Sequence, residues 1–240
     1  MAGTAAVLSR RRAAAVAALT GLLSLYTAVA GRLWDASLGW DVAFLTVVLI
    51  PAFLLVPWLV LPLASRRGLL LVGLALVVLA IVLRAAELDV LFNLAKLVAL
   101  TVLGFWFLSY FEAVSWAVLI AVVIPFVDAL SVWRGPTDYI VSEQPSVFDE
   151  VSIAFRIPGE NDSANIGPPD ILFFSLFLAA AARFGLRVAA TWVAMVALLG
   201  LTLVLTATTD VAGLPALPAI CVGFLLPNVD RIWRSLRRRR

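Results

Sequence analysis

Two aspartates and a short proline-containing run are the residues of this chain whose types and spacing could do chemistry. Asp128 and Asp170 lie in strongly apolar segments, and the run Pro215 to Pro218 opens the last such segment. Carboxylates are costly in hydrocarbon, so an acidic residue at membrane depth is a candidate functional residue. Two neighbouring carboxylates in a low-dielectric site tend to share one proton. One can then take a proton from water while the other donates to a carbonyl oxygen, which is the acid–base chemistry of aspartic proteases.

The composition predicts an all-α, polytopic integral membrane protein. Of its 240 residues, 63% are hydrophobic, and the mean hydropathy is +1.07. The chain has no histidine and one cysteine, Cys221. This excludes a Ser-His-Asp triad, a Cys-His pair, histidine-ligated zinc sites and an intrachain disulfide. We therefore expect no metal and no organic cofactor, and the net charge of +3 gives no reason to expect a nucleic-acid partner.

Apolar segments recur along the chain at lengths near the roughly 20 residues that a membrane-spanning helix needs. We predict about eight spans (eight or nine), with the first four in residues 1–112 and the site-bearing region in residues 113–240. Only Glu112 interrupts residues 90–133, so two tightly joined helices are expected there, because one helix of that length would be about 66 Å long. The predicted segments are residues 13–31, 42–63, 69–86, 90–110, 113–133, 170–184, 187–209 and 214–228.

The positions of the arginines predict the orientation in the membrane, because positively charged loops stay in the cytoplasm. With eight spans all four basic clusters lie on one side, which puts both termini in the cytoplasm and the long loop 134–169 outside. The near-exclusive use of arginine over lysine, with abundant Ala, Val and Leu, indicates a GC-rich prokaryotic gene and hence the plasma membrane. Ala28 to Ala30 resembles a signal-peptidase site, but the length of this segment favours an uncleaved first span. The four clusters are Arg10 to Arg12, Arg66 with Arg67, Arg183 with Arg187, and the tail Arg231 to Arg240.

This topology brings the candidate residues to the same outer level of the membrane from three helices. Asp128 lies about 7–8 Å below the outer boundary in span five, Asp170 begins span six, and Pro215 to Pro218 begin span eight. A helical substrate must be unwound before water can attack it, and its freed amide groups then need new partners. The segment Val151 to Ile157 alternates like a β-strand and is a candidate for pairing with the substrate by strand addition.

At these positions the sequence resembles the presenilin and signal peptide peptidase family over about residues 113–228. The blocks Phe126 to Trp133, Ile166 to Ser175 and Leu214 to Pro218 are similar to the family's aspartate helix, its Gly-x-Gly-Asp helix and its Pro-Ala-Leu motif, in the same order. Val127 replaces the usual tyrosine, and Pro169 replaces the second glycine. The resemblance implies membrane-helix substrates with a cytoplasmic N-terminus. It also implies Asp128 and Asp170 as the catalytic pair, with Gly167, Pro169, Pro215, Ala216, Leu217 and Pro218 supporting the site.

Each feature also has a purely structural interpretation. Asp170 is in a position to cap the N-terminus of its helix after a Pro-Pro turn. Asp128 is in a position to pair with Arg134 or Lys96, the only lysine of the chain. The run from Pro215 suits an ordinary helix start, because proline is favoured in the first turn.

Two further functions remain open alongside proteolysis. The first is a catalytically impaired relative that binds membrane helices, with Pro169 as the cause of the lost turnover. The second is a small transporter that uses the two carboxylates as a proton relay. Gly21, Gly73, Gly104 and Gly200 are predicted to allow close helix packing.

Overall fold

The computed structural model describes residues 8–134, 145–160, 162–209 and 214–237. Of these described residues, 82% are helical, and they include one two-stranded antiparallel sheet. Short 3₁₀ turns extend α1 to Arg32 and α5 to Tyr110. A π-helical turn, Leu45–Leu49, joins α2 to α3. The helices are α1 Arg10–Val29, α2 Leu38–Phe44, α3 Ile50–Val60, α4 Leu69–Ala85, α5 Asp89–Phe107, α6 Val114–Arg134, α7 Pro145–Val151, α8 Pro168–Arg183, α9 Val188–Thr208, α10 Leu217–Leu225 and α11 Val229–Arg237, and the strands are β1 Ile153–Arg156 and β2 Ser163–Ile166.

Five of the described helical segments are long and apolar enough to cross a membrane. Helix α4 is apolar but shorter, and α8 and α10 have 16 and 9 residues. Large apolar side chains on α4, such as Leu71 at 72% exposure, face outward, as expected for a surface in contact with lipid. The five segments are Arg10–Arg32, Leu38–Ser65, Asp89–Tyr110, Val114–Val132 and Val188–Thr208. The count of eight spans stays a prediction.

The predicted break between spans four and five is confirmed. Helix α5 ends at Phe107, a 3₁₀ turn follows, and α6 begins at Val114, so the backbone leaves the helical path next to Glu112. Asp128 lies 14 residues after Val114, about 21 Å along α6, and is therefore far from this break.

Strand β1 confirms the strand predicted within residues 151–157, but its partner β2 was not predicted. Ile153 pairs with Ile166 at one end of the hairpin, and the two strands run antiparallel. Ile153 and Phe155 project from β1 into the helical core, where both are fully buried. The Phe155 ring lies 4.6 Å from that of Phe53. The hairpin is therefore a packed addition to the predicted all-α fold.

Three of the four glycines predicted to allow close packing do so. A Cβ at Gly104 of α5 would lie 2.4 Å from the backbone oxygen of Leu172 in α8. Cβ atoms at Gly73 and Gly200 would lie 2.6 Å and 2.5 Å from neighbouring side-chain atoms. The prediction is wrong for Gly21, which has nothing within 4 Å of its would-be Cβ.

Basic residues converge at one end of the helix bundle, opposite the tip of the β-hairpin. At one end, Arg12, Arg66, Arg67 and Arg183 line a single cavity, so basic residues far apart in sequence converge. At the other end, the tip of the β-hairpin contacts the last turn of α1. There the Gly159 N–H donates to the carbonyl oxygen of Ala30. Ala30 lies 18 residues after Arg12, which corresponds to about 27 Å along a helix.

Candidate functional site

Asp128 accepts a hydrogen bond from the start of α10. It is half-buried on α6, and its Oδ2 lies 3.1 Å from the backbone nitrogen of Leu217. Leu217 is the first residue of α10, and its N–H is one of those that a helix start leaves without an intrahelical partner. The partial positive charge at a helix N-terminus also attracts a carboxylate. Pro218 follows with no N–H of its own, so Leu217 is the member of the Pro-Ala-Leu-Pro run that contacts Asp128 directly.

Asp170 is the third residue of α8, because this helix begins at Pro168, two residues earlier than predicted. Its Oδ2 accepts from the Gly167 N–H at 3.2 Å, and its own N–H donates to the Gly167 oxygen at 3.1 Å. Gly167, not Asp170, is therefore the N-cap residue, and the capping role predicted for Asp170 is wrong in that form. A Cβ at Gly167 would lie 3.1 Å from the carboxylate, so glycine gives the carboxylate room to fold back. Pro168 and Pro169 occupy the first two helical positions, where the missing N–H removes no hydrogen bond.

The two carboxylates lie in the region where α6, α8 and α10 pack together. Asp128 and Asp170 are close enough to interact electrostatically, and both interact with the thiol of Cys221. Cys221 is fully buried on α10, one turn after Leu217, and was not predicted to lie here. The predicted proximity of the two aspartates and the Pro-Ala-Leu run is confirmed. Their catalytic role stays a prediction.

The structure does not pair Asp128 with Lys96. The Lys96 ammonium group instead donates to two backbone oxygens, one of them that of Glu150 at 2.8 Å, and lies 4.3 Å from the centre of the Phe92 ring. The side chain of Arg134, the other predicted partner, lies outside the described residues. In the described part of the chain, no group of three or more His, Cys, Asp or Glu side chains could hold a metal ion.

One buried side chain of α5 holds the outer edge of β1. Asn93 donates from Nδ2 to the Ala154 oxygen at 2.8 Å and accepts from the Ala154 N–H at 2.9 Å, as a neighbouring strand would. Asn93 is 6% exposed. In an antiparallel pair, residues alternate between facing the partner strand and facing away. Because Ala154 faces away from β2, its register partner Asn165 presents its backbone groups on the outer edge of β2.

Two more side chains cover the same edge of β1. Lys96 donates to the Ser152 oxygen, and the Tyr26 hydroxyl of α1 donates to the Arg156 oxygen at 2.7 Å. Together with Asn93, they satisfy the outward-facing carbonyl groups all along the strand. The predicted strand addition to this strand is therefore wrong, because its outer edge is occupied. Among the described residues, none forms a hydrogen bond with the outward-facing backbone groups of Asn165, so the open edge of the hairpin in this part of the chain belongs to β2, which ends one residue before Gly167.

The tip of the hairpin is anchored as well. Gly159 has φ +77°, a conformation that favours glycine, and its N–H donates to the Ala30 oxygen at 2.9 Å. A Cβ there would lie 2.6 Å from the backbone of Asp35. The hairpin is thus held at a defined position next to the N-terminus of α8.

Sequence reasoning missed Tyr26 and Asn93 as residues that position the hairpin. A signal existed for Asn93, which is a polar residue inside an apolar span, three positions before Lys96 and hence on the same helix face. No comparable signal marked Tyr26, whose partner lies 130 positions away.

Comparisons of this chain with protein-family models, with curated proteins and with solved structures found no match. The likeness to presenilins and signal peptide peptidases therefore rests on the three sequence blocks.

Proposed function

We propose that this chain is an intramembrane aspartyl protease with a presenilin-like arrangement of eight spans, which hydrolyses peptide bonds within transmembrane segments. The observation that carries the proposal is the meeting of three helices at two interacting carboxylates. Asp128 and Asp170 interact there, and the Leu217 N–H of the Pro-Ala-Leu run donates to Asp128. This convergence of the two aspartates and the Pro-Ala-Leu run, which are distant in the chain, supports the proposal.

The reaction uses the two carboxyl groups as one unit with a shared proton. The ionised group takes a proton from water as the water oxygen bonds to the peptide carbonyl carbon, and the protonated group gives its proton to the carbonyl oxygen. The resulting gem-diol collapses as the C–N bond breaks, and a carboxyl proton passes to the leaving nitrogen. One water is consumed, a carboxyl and an amino terminus form, and the pair returns to its starting protonation.

The edge of β2 supports a way to hold the unwound substrate. An extended peptide can add to an exposed strand edge through main-chain hydrogen bonds. The backbone groups of Asn165 face that edge, five residues before Asp170. A substrate strand bound there would run beside the start of α8, and thus beside the reacting groups.

The position of Pro169 gives no structural reason for an impaired enzyme. Proline at the second helical position is compatible with the fold, because its ring suits the first turn and no amide bond is lost. We therefore expect Pro169→Gly to leave cleavage within a few-fold of the parent. An inactive parent that gains cleavage with this substitution would favour the helix-binding function instead.

The proposed orientation places the arginine-lined end of the bundle in the cytoplasm and loop 134–169 outside the plasma membrane. Convergence of Arg12, Arg66, Arg67 and Arg183 at one end supports it, because positive charge accumulates on the cytoplasmic side. In this orientation the two aspartates lie towards the outer side. Substrates would then enter with their N-termini in the cytoplasm.

The test is cleavage of single-span reporter peptides by purified protein in detergent. We expect cleavage within the span by the parent and background levels for Asp128→Asn and Asp170→Asn. Asp41→Asn is the matched control, because Asp41 is also a buried aspartate in an apolar helical segment but is not part of the site. No cleavage by folded parent protein across the panel would refute the proposal. Proton flux in liposomes that Asp128→Asn abolishes, without peptide cleavage, would favour the transporter.

A further inference from the structure

A cavity of about 870 Å³ opens at the basic end of the bundle, remote from the two aspartates. It lies between the starts of α1 and α4 and the ends of α5 and α8. Four arginines line it, and no acidic residue is among its described lining residues. The described wall therefore carries the positive charges of Arg12, Arg67 and Arg183 and no carboxylate.

Three of these arginines have N–H donors that can bind an anion in the cavity. Arg12, Arg67 and Arg183 are exposed, and none of them takes part in the ion pairs found among the described residues. Arg183 donates from Nη1 to the Leu108 oxygen at 2.9 Å, which orients its guanidinium group and uses one of five N–H donors. Guanidinium groups bind phosphate through paired hydrogen bonds. A phosphate group is the anion that this end of the cavity suits.

The remainder of the cavity wall is apolar. Its apolar lining residues include Leu61, Leu69, Leu70 and Trp106, and Trp106 is half-buried. Tryptophan is favoured at the level of lipid headgroups, where hydrocarbon meets water. A ligand with a phosphate at one end and hydrocarbon at the other matches both parts of the wall, whereas free phosphate would leave the apolar part without a partner.

We propose that this cavity is a binding site for an anionic phospholipid, with the phosphate among Arg12, Arg67 and Arg183 and the first part of the acyl chains against Leu70 and Trp106. Basic pockets between membrane helices on the cytoplasmic side recognise acidic headgroups in this way. The bound lipid would contact residues of α1, α4 and α8 at once. The inference is independent of the proposed proteolytic activity.

Native mass spectrometry of the detergent-purified protein, titrated with phosphatidylglycerol, measures this site. We expect the dissociation constant of the most tightly bound phosphatidylglycerol molecule to be about thirtyfold higher in the double variant Arg12→Gln/Arg67→Gln than in the parent. The matched control is Arg10→Gln/Arg11→Gln, which removes two charges from the same end of the bundle without touching the cavity. The control should stay within about threefold of the parent.

Three outcomes would overturn the proposal. If lipid binding weakens equally in both double variants, the attraction comes from diffuse surface charge. If phosphatidylcholine binds as tightly as phosphatidylglycerol, the charge of the headgroup plays no role. If millimolar inorganic phosphate displaces the lipid, the cavity is a site for the free anion. Photo-crosslinking of phosphatidylglycerol to the parent protein avoids reliance on variant folding. Labelled peptides should cover residues 61–70 or 106–109, and labelling confined to other peptides would refute the site.

Discussion

Asn93 offers the sharpest test of how the hairpin is positioned. The substitution Asn93→Leu keeps the size of the side chain but removes both hydrogen bonds to Ala154. Asn93 is buried, so the Ala154 N–H and C=O lose their partners without gaining water in exchange. We expect β1 to separate from α5 more often as a result.

The magnitude follows from the two bonds that are lost. A typical hydrogen bond contributes about 0.5–1.5 kcal/mol net, and each buried group left unsatisfied costs about 1–3 kcal/mol. Because local opening relieves part of this cost, we expect the free energy of opening of the hairpin to fall by about 2–4 kcal/mol. Amide exchange in β1 should therefore become about 30- to 1,000-fold faster.

Hydrogen-exchange mass spectrometry of a peptide covering residues 152–157, with the protein in detergent, measures this effect. Thr101→Val is the matched control on the same helix, because the buried Thr101 hydroxyl donates only to the Leu97 oxygen of its own helix. The control should leave exchange in β1 unchanged. Unchanged exchange in Asn93→Leu would show that Asn93 does not hold the strand edge, and equal acceleration in both variants would indicate general loosening of α5.

Two further predictions concern helix packing and the C-terminal helix. Gly104→Ala should lower the free energy of unfolding by about 1–3 kcal/mol in a denaturant titration, because its Cβ would meet a backbone oxygen of α8 at 2.4 Å. The control Gly21→Ala, which has open space around it, should be neutral or stabilising by up to about 1 kcal/mol. An equal loss of stability in both variants would contradict the packing argument. The hydrogen bonds from Arg187 hold the pKa of Asp230 well below its usual range, so the contribution of this pair to docking of α11 is present above about pH 4 and disappears as the pH falls through the lowered pKa. In the parent protein, the amide protection of α11, corrected for intrinsic exchange, should fall on acidification. In Asp230→Asn this protection should be low at neutral pH and change little with pH. Parallel pH profiles of the two proteins would contradict this prediction.

Local chemistry made several elements predictable. The break beside Glu112 follows from the length that a single helix would otherwise reach, and the strand at residues 153–156 follows from alternation that places Ile153 and Phe155 on one face. The start of α8 was placed two residues late, because the prediction counted apolar residues and α8 begins with two prolines. Both prolines fit the first turn, so the helix begins where the hydropathy signal is still weak.

The interactions that decide the site were not predictable in the same way. The Leu217 N–H and Asp128 are 89 positions apart, and Asn93 and Ala154 are 61 apart. No local pattern reports which edge of a strand will be covered, and so the prediction assigned substrate pairing to β1 although its edge is occupied. The clustering of Arg12 with Arg183 in one cavity likewise depends on which helix ends pack together.

The sequence by itself determined that this is a largely helical protein with several helices suited to a membrane, and that two carboxylates and a Pro-Ala-Leu run are its candidate reactive features. These conclusions depend on the cost of placing charge in hydrocarbon and on the length of apolar segments, which are properties of neighbouring residues. Only the tertiary structure decided that a helix N-terminus donates to Asp128, that side chains occupy the outer edge of β1, and that four arginines share one cavity. Each of these depends on contacts between segments distant in the chain, which form only when the helices pack.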